Sequence, residues 1–160
     1  MHTGEPPFQD RHHACRYVRG GGSMRRVVTS VEEGEWMGGS RPDQTSKLFE
    51  ARFGAGDLDG LMELYEDDAV FTNAQGAHAG PSAIREVLAG YLSTGASIIM
   101  NDSVAFEAGD FALVHWSWTM NFPDGRVAEG ATAEVLRRQA DGSWKFIIDN
   151  PDGPALISHA

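Results

Sequence analysis

The sequence predicts an α+β domain in which helices pack on one face of a curved antiparallel sheet. Two observations carry that expectation. Apolar residues recur at helical spacing in three stretches before residue 93, whereas the chain after residue 96 reads as strands. Those strands are separated by Gly109-Asp110, Asp124-Gly125 and Asp141-Gly142, dipeptides that favour tight hairpins.

The first helix is expected from Gln44 to about Ala55, with Leu48, Phe49 and Phe53 as its apolar positions and Gly54 and Gly56 ending it. Asp57 can cap a short second helix, where Leu58, Leu61, Met62 and Tyr65 form one apolar face. After the acidic turn Glu66-Asp67-Asp68, a short strand covers 69–73 and a Gly-rich loop runs to Gly80. Pro81 opens the third helix, because its missing N–H has no partner to lose at the first helical position. Ile84, Val87, Leu88, Tyr91 and Leu92 repeat behind it at helical spacing. Four strands then follow at 97–107, 111–122, 127–138 and 144–150, as an antiparallel meander.

Residues 1–40 show no sustained periodicity and carry a Gly20-Gly21-Gly22 run, so they read as a disordered arm. Met24 and Met37 lie within it, which makes an over-extended start an expectation to test by intact mass. His12, His13 and Cys15 are close together, but their spacing fits no ordered metal site. A folded domain is expected over 42–154, with a tail at 155–160.

Composition narrows the partners. The formal charge is −10, and residues 1–40 balance five Arg against five acids, so the whole excess falls after residue 40. An acidic domain repels phosphate backbones, and no basic stripe interleaved with aromatics is present; nucleic acid is not an expected partner. No apolar run approaches the ~20 residues of a membrane helix, and the single cysteine forms no intrachain disulfide. A cytoplasmic protein with no membrane partner is the expectation.

Hairpin turns fix register, so facing residues can be worked out. If Asp141-Gly142 is a two-residue turn, Ala140 faces Ser143 and Glu134 lies opposite Asp149. If Asp124-Gly125 is likewise a two-residue turn, Pro123 faces Arg126 and Glu134 meets His115 on its other side. The expected row is His115, Glu134, Asp149. Two ionised carboxylates ~5 Å apart would repel by roughly 3 kcal/mol at an effective dielectric near 20, enough to keep a proton on the pair. Such tuning suits general acid–base work. Ser117, Thr119, Gly130 and Thr132 share the row's face. The opposite face carries Trp116, Trp118, Met120, Val135, Trp144, Phe146 and Ile148. Periodicity alone leaves open which of the two faces packs on the helices.

Three segments together resemble the nuclear transport factor 2-like / SnoaL-like superfamily. They are Leu64 to Phe71, Gly80-Pro81-Ser82-Ala83-Ile84-Arg85, and Glu134 to Arg138 continuing through Asp141-Gly142-Ser143-Trp144. The ending from Trp144 to Pro151 is similar to a largely uncharacterised bacterial branch. Resemblance to ketosteroid isomerases implies a conical partial barrel, cystatin-like in form, whose concave face lines a pocket. It also implies that Glu134 matches their oxyanion-hole aspartate and that Asp149 points inward. The Trp-rich face would then be the outer one and would call for a homodimer partner. Two departures argue against steroid isomerisation: Asn73 stands where the resemblance puts the basic Asp, and Phe49 where it puts the oxyanion-hole Tyr.

The expected function is a small-molecule site with no cofactor and no metal, working by acid–base chemistry of isomerase, cyclase or dehydratase type. Glu134, Asp149 and His115 are its expected catalytic residues, and Asn73, Thr132, Ser117, Phe49, Tyr65 and Ile147 its ligand contacts. The alternative is a non-catalytic ligand-binding or dimerisation module. A metal enzyme built on His115 and two carboxylates is a third reading, disfavoured because ligands in a straight cross-strand row converge poorly.

Overall fold

A computed structural model describes residues 41–153. The expected arm, its His12, His13 and Cys15, and the tail lie outside the described residues.

A 3-10 turn at Pro42–Gln44 leads into α1, Thr45–Gly54, and α2, Leu58–Glu63, which Asp57 caps by accepting from Gly60 N. Then come β1 (Tyr65–Asn73), β2 (Gly76–Ala79), α3 (Pro81–Ser93), β3 (Ser97–Ala108), β4 (Phe111–Asn121), β5 (Val127–Ala131), β6 (Glu134–Arg138) and β7 (Trp144–Asp149). Tyr65 therefore begins a strand and does not finish the second helix. The acidic run Glu66-Asp67-Asp68 lies inside β1, where the pairing with β7 shifts register between Tyr65 and Val70. The Gly-rich loop holds the short strand β2, antiparallel to β1.

The seven strands form one mixed sheet of order β2-β1-β7-β6-β4-β3, with β5 also paired to β4. β1 and β7 run parallel, and the other pairs antiparallel. The strongly curved, conical partial barrel implied by ketosteroid isomerases does not form. Closing a barrel requires the two edge strands to exchange hydrogen bonds. Here β2 and β3 stay at opposite ends, and the sheet is open.

Helices cover one face of this sheet. α1 packs on β3, α3 on β1 and β2, and α2 bridges to α3. Between them lies a core that includes Phe53, Leu61, Phe71, Ile84, Leu88, Val114, Trp116, Leu136, Trp144 and Phe146. Trp116 and Phe146 meet edge to face at 5.8 Å. The tryptophan face is therefore the inner one, which overturns its expected place as an outer dimerisation face. Val135 and Ile148 point the other way; Ile148 is 42% exposed.

Candidate functional site

Two hairpins place the site, and both differ from the expected turns. In the β6–β7 hairpin, Gln139 N donates to Ser143 O and Gly142 N to Gln139 O, so the loop holds three residues, Ala140 to Gly142. Gly142 adopts φ 86°, a left-handed conformation that a side chain resists. Leu136 pairs with Phe146, one position away from the two-residue prediction. A register shift then follows, and Val135 pairs with Ile148. Ile147 is the extra residue. It turns Asp149 to the same face as Trp144 and Phe146, opposite Glu134.

The β4–β5 hairpin also has a three-residue loop. Phe122 N donates to Arg126 O and Gly125 N to Phe122 O. No bulge corrects it in the pairing of β4 with β5 or β6, so Glu134 pairs with Val114. His115 consequently points to the outer face, and the three-membered row does not form. Its Nδ1 lies 2.8 Å from Thr132 O, an acceptor that requires this nitrogen to carry the proton.

Glu134 and Asp149 are each 3% exposed and border a cavity of about 250 Å³. Most of its wall is apolar: Phe49, Phe53 and Leu88 from the helices, Phe71, Ile98, Met100, Trp116, Trp118, Met120 and Phe146 from the sheet. Pro151 and Asp152 close one side. Trp118 Nε1 donates to Pro151 O at 2.9 Å, which holds the segment after β7 against the sheet. Gly130 makes room for this, since a Cβ there would sit 2.5 Å from Cζ2 of Trp118.

Burial pushes the Glu134 carboxyl well above its ordinary pKa, and the negative charge of Asp149 raises it further against the opposing pull of the Thr132 hydroxyl. Burial raises Asp149 to about 7, opposed by hydrogen bonds from Tyr65 and Glu134. The Tyr65 hydroxyl donates to Asp149 Oδ2, and burial followed by the Asp149 charge keeps that hydroxyl protonated. Asp149 thus accepts from two neighbours, whereas Glu134 Oε2 is buried without a partner among the protein atoms. A carboxyl oxygen buried in this way retains the capacity to form a hydrogen bond with a molecule in the cavity.

Of the expected ligand contacts, Phe49 and Thr132 line the cavity, and Tyr65 supports it through Asp149. Thr132 Oγ1 also accepts from Trp116 N at 3.0 Å, taking a backbone carbonyl's place in the ladder between β5 and β6. Asn73 is buried beside the cavity, bonded to Gln75 N and to His78. Ser117 is on the outer face, where its Oγ accepts from Asp102 N, and Ile147 is the bulge residue outside the cavity wall. Sequence reasoning missed Trp116, Trp118, Tyr91 and Asp152. The first two were assigned to the wrong face, and Tyr91 was read only as core. Asp152 follows the last strand, where no periodicity reaches it. Among the described residues, no group of three or more His, Cys, Asp or Glu is placed to hold a metal ion, and no helix is long and apolar enough to cross a membrane.

Solved structures share this architecture. A protein of unknown function from Mycobacterium tuberculosis matches with a TM-score of 0.61 and 17% identity, over 67% of this chain and 66% of its own, so the chain spans just under two thirds of that relative. A protein of unknown function with a cystatin-like fold from Nostoc punctiforme matches at 0.59 and 16% identity, over 71% and 91%. A nuclear transport factor 2-like protein of unknown function from Pseudomonas putida matches at 0.60 and 21% identity, over 67% and 80%. At these identities the likeness shows the fold alone. The comparison with curated proteins found no match. The family profile described as SnoaL-like domain matches residues 46–147, most of the sheet and all three helices. The chain therefore belongs to the SnoaL-like domain family.

Proposed function

We propose that the cavity is a small-molecule site in which the Glu134–Asp149 pair does acid–base chemistry on a compact, largely apolar compound. One observation carries this reading. Two carboxyls meet at the wall of an apolar cavity, and one oxygen, Glu134 Oε2, has no protein partner. Glu134 is the group that holds a proton, and Asp149, backed by the Tyr65 hydroxyl, is the group that titrates near neutrality. Such a pair can deliver a proton to a ligand's polar end and take one back, the work of an isomerase, cyclase or dehydratase. At about 250 Å³ the cavity falls below the ~300–1,000 Å³ usual for drug-sized ligands, which favours a molecule of one or two rings. Steroid isomerisation is not proposed, since Asn73 cannot act as a base and Phe49 carries no hydroxyl.

Carboxyl-labelled NMR titration tests the reading. The expected result is two carboxyls titrating far above the ordinary range in wild type, one of them missing in Glu134→Gln. If both titrate near 4, the pair is solvated and the proposal fails. The cytoplasmic setting is part of the same proposal, to be checked by cell fractionation.

A second reading, compatible with the first, is a homodimer formed through the outer sheet face. Phe106, Leu113, Val135 and Ile148 are successive cross-strand partners across β3, β4, β6 and β7, and Phe106 is 56% exposed. A continuous apolar row of this kind favours a two-fold contact with a second copy. Leu113→Lys should halve the mass measured by sedimentation; a wild-type monomer at micromolar concentration would overturn this reading.

A further inference from the structure

We infer that the ligand class of this cavity is a compact hydrophobic ammonium, whose positive charge sits against the Glu134–Asp149 pair within an aromatic wall. The inference rests on the reading of the cavity as the ligand site and names the chemistry of its occupant.

Charge supports it first. Among the described residues, the cavity wall contains three carboxyls, Glu134, Asp149 and Asp152, and no Lys, Arg or His. A ligand carboxylate or phosphate would find no counter-ion there and would face like charge, which argues against acidic substrates and against anionic carriers. The chain adds a long-range preference of the same sign, with its whole −10 excess after residue 40.

The wall's chemistry supports it second. Eight of its residues are aromatic, including both Trp116 and Trp118, and aromatic faces attract ammonium groups that have shed their water. Aromatic rings alone would suit any flat apolar molecule. Joined to carboxyls and to the complete lack of opposing cations, they select for positive charge.

The buried pair supplies a third, independent observation. Glu134 is 3% exposed, borders the cavity and leaves Oε2 without a protein partner. The groups that face the pair are Tyr65 from β1, Tyr91 from α3, and Asp152 after β7; none of them supplies positive charge. α1, β3 and β4 present only apolar or aromatic side chains to the cavity. Burial and the closeness of the two carboxyls keep a proton on the pair, and no cation in the wall offsets its charge. An ammonium in the cavity would replace that proton as the counter-charge, so binding should strengthen as pH rises and release a proton to solvent.

Benzyltrimethylammonium and its uncharged carbon isostere, neopentylbenzene, separate shape from charge. Neither titrates, so any pH dependence belongs to the protein. Binding is read from the change in tryptophan fluorescence of the full chain between pH 5 and 8, Trp116 and Trp118 being the tryptophans in the wall, with Asp149→Asn compared at each pH after its fold is checked by circular dichroism. The expected result is that the ammonium binds at least tenfold more tightly than the isostere at pH 8. That ratio should shrink toward one at pH 5, and Asp149→Asn should reduce it at pH 8. Equal or tighter binding of neopentylbenzene at pH 8 would overturn the ammonium class and leave the small-molecule cavity standing. Failure of both probes to bind would overturn the cavity as a ligand site, and this inference with it. The wild-type comparison decides the matter even if the variant does not fold.

Discussion

The β4–β5 and β6–β7 hairpins have the same kind of loop, yet only one of them delivers its ionisable residue to the cavity. Each closes with three residues ending in a left-handed glycine, Gly125 in one and Gly142 in the other, at φ 86° in both. Each therefore slips one position from a two-residue turn. In β7 the extra residue Ile147 undoes the slip, and Asp149 arrives opposite Glu134. β4 carries no such residue in these pairings, and His115 goes to the outer face. Because side chains alternate every residue, a slip of one exchanges the two faces completely, and a bulge exchanges them back.

The largest expected effect sets His115 against Trp116, its immediate neighbour. Trp116 is 2% exposed and stacks edge to face on Phe146. Trp116→Ala should lower stability by about 3–5 kcal/mol in urea denaturation. His115→Ala should cost about 1 kcal/mol, the net value of its bond to Thr132 O. A reversed order would restore the two-residue turn and put the imidazole inside.

Next in size is the pH dependence that Asp149 imposes. Its carboxyl ionises near 3.8 in the unfolded chain and at about 7 in the folded one, so the unfolded state loses its proton first. Asp149's contribution to stability should fall as pH rises from 4 to 7 and level off above that, and Glu134, also raised by burial, adds a loss of the same sign. The loss from Asp149 is roughly 4 kcal/mol at 1.36 kcal/mol for each pH unit between the two values. Asp149→Asn still accepts from the Tyr65 hydroxyl and should flatten this slope, as denaturation midpoints across pH would show. An unchanged slope would mean that Asp149 is solvated in the folded chain.

Gly130→Ala should come third, at about 1–3 kcal/mol. The added methyl would meet Trp118 at 2.5 Å and push it off Pro151 O. A red-shifted tryptophan emission would register the loss; unchanged emission would show that the segment after β7 needs no such latch.

Much of the fold was legible because it rests on long signals. Pro81 opens α3 as expected, and Asp57 caps α2. The four late strands appear near their predicted bounds, except that 127–138 divides at Thr132-Ala133. Pattern also brought Glu134 and Asp149 together, although by two errors that cancel: the loop is one residue longer than assumed, and the strand holds one residue more. His115 and Ser117 shared the first error without the second. β2 escaped notice because four residues between glycines give almost no alternation to read. The open sheet was illegible for a different reason, since closure depends on whether β2 and β3 meet, and neither strand's own sequence says so.

The smallest effect is also the sharpest test of the hairpin comparison. If Ile147 is purely an inserted residue, its deletion should leave Leu136 paired with Phe146 and Val135 with Ile148, because those pairs already flank it. Phe146, Ile148 and Asp149 would then alternate regularly, inward, outward and inward. β1 would keep its partners too, since Val70 and Phe71 pair with Ile148 and Asp149 and not with Ile147. Stability should change by less than about 1 kcal/mol, and Asp149 should still titrate near 7. A fall of its pKa into the ordinary carboxylate range would show that the bulge itself aims the side chain. In that case the strand's twist at Ile147, and not its residue count, separates the hairpin that builds the site from the one that does not.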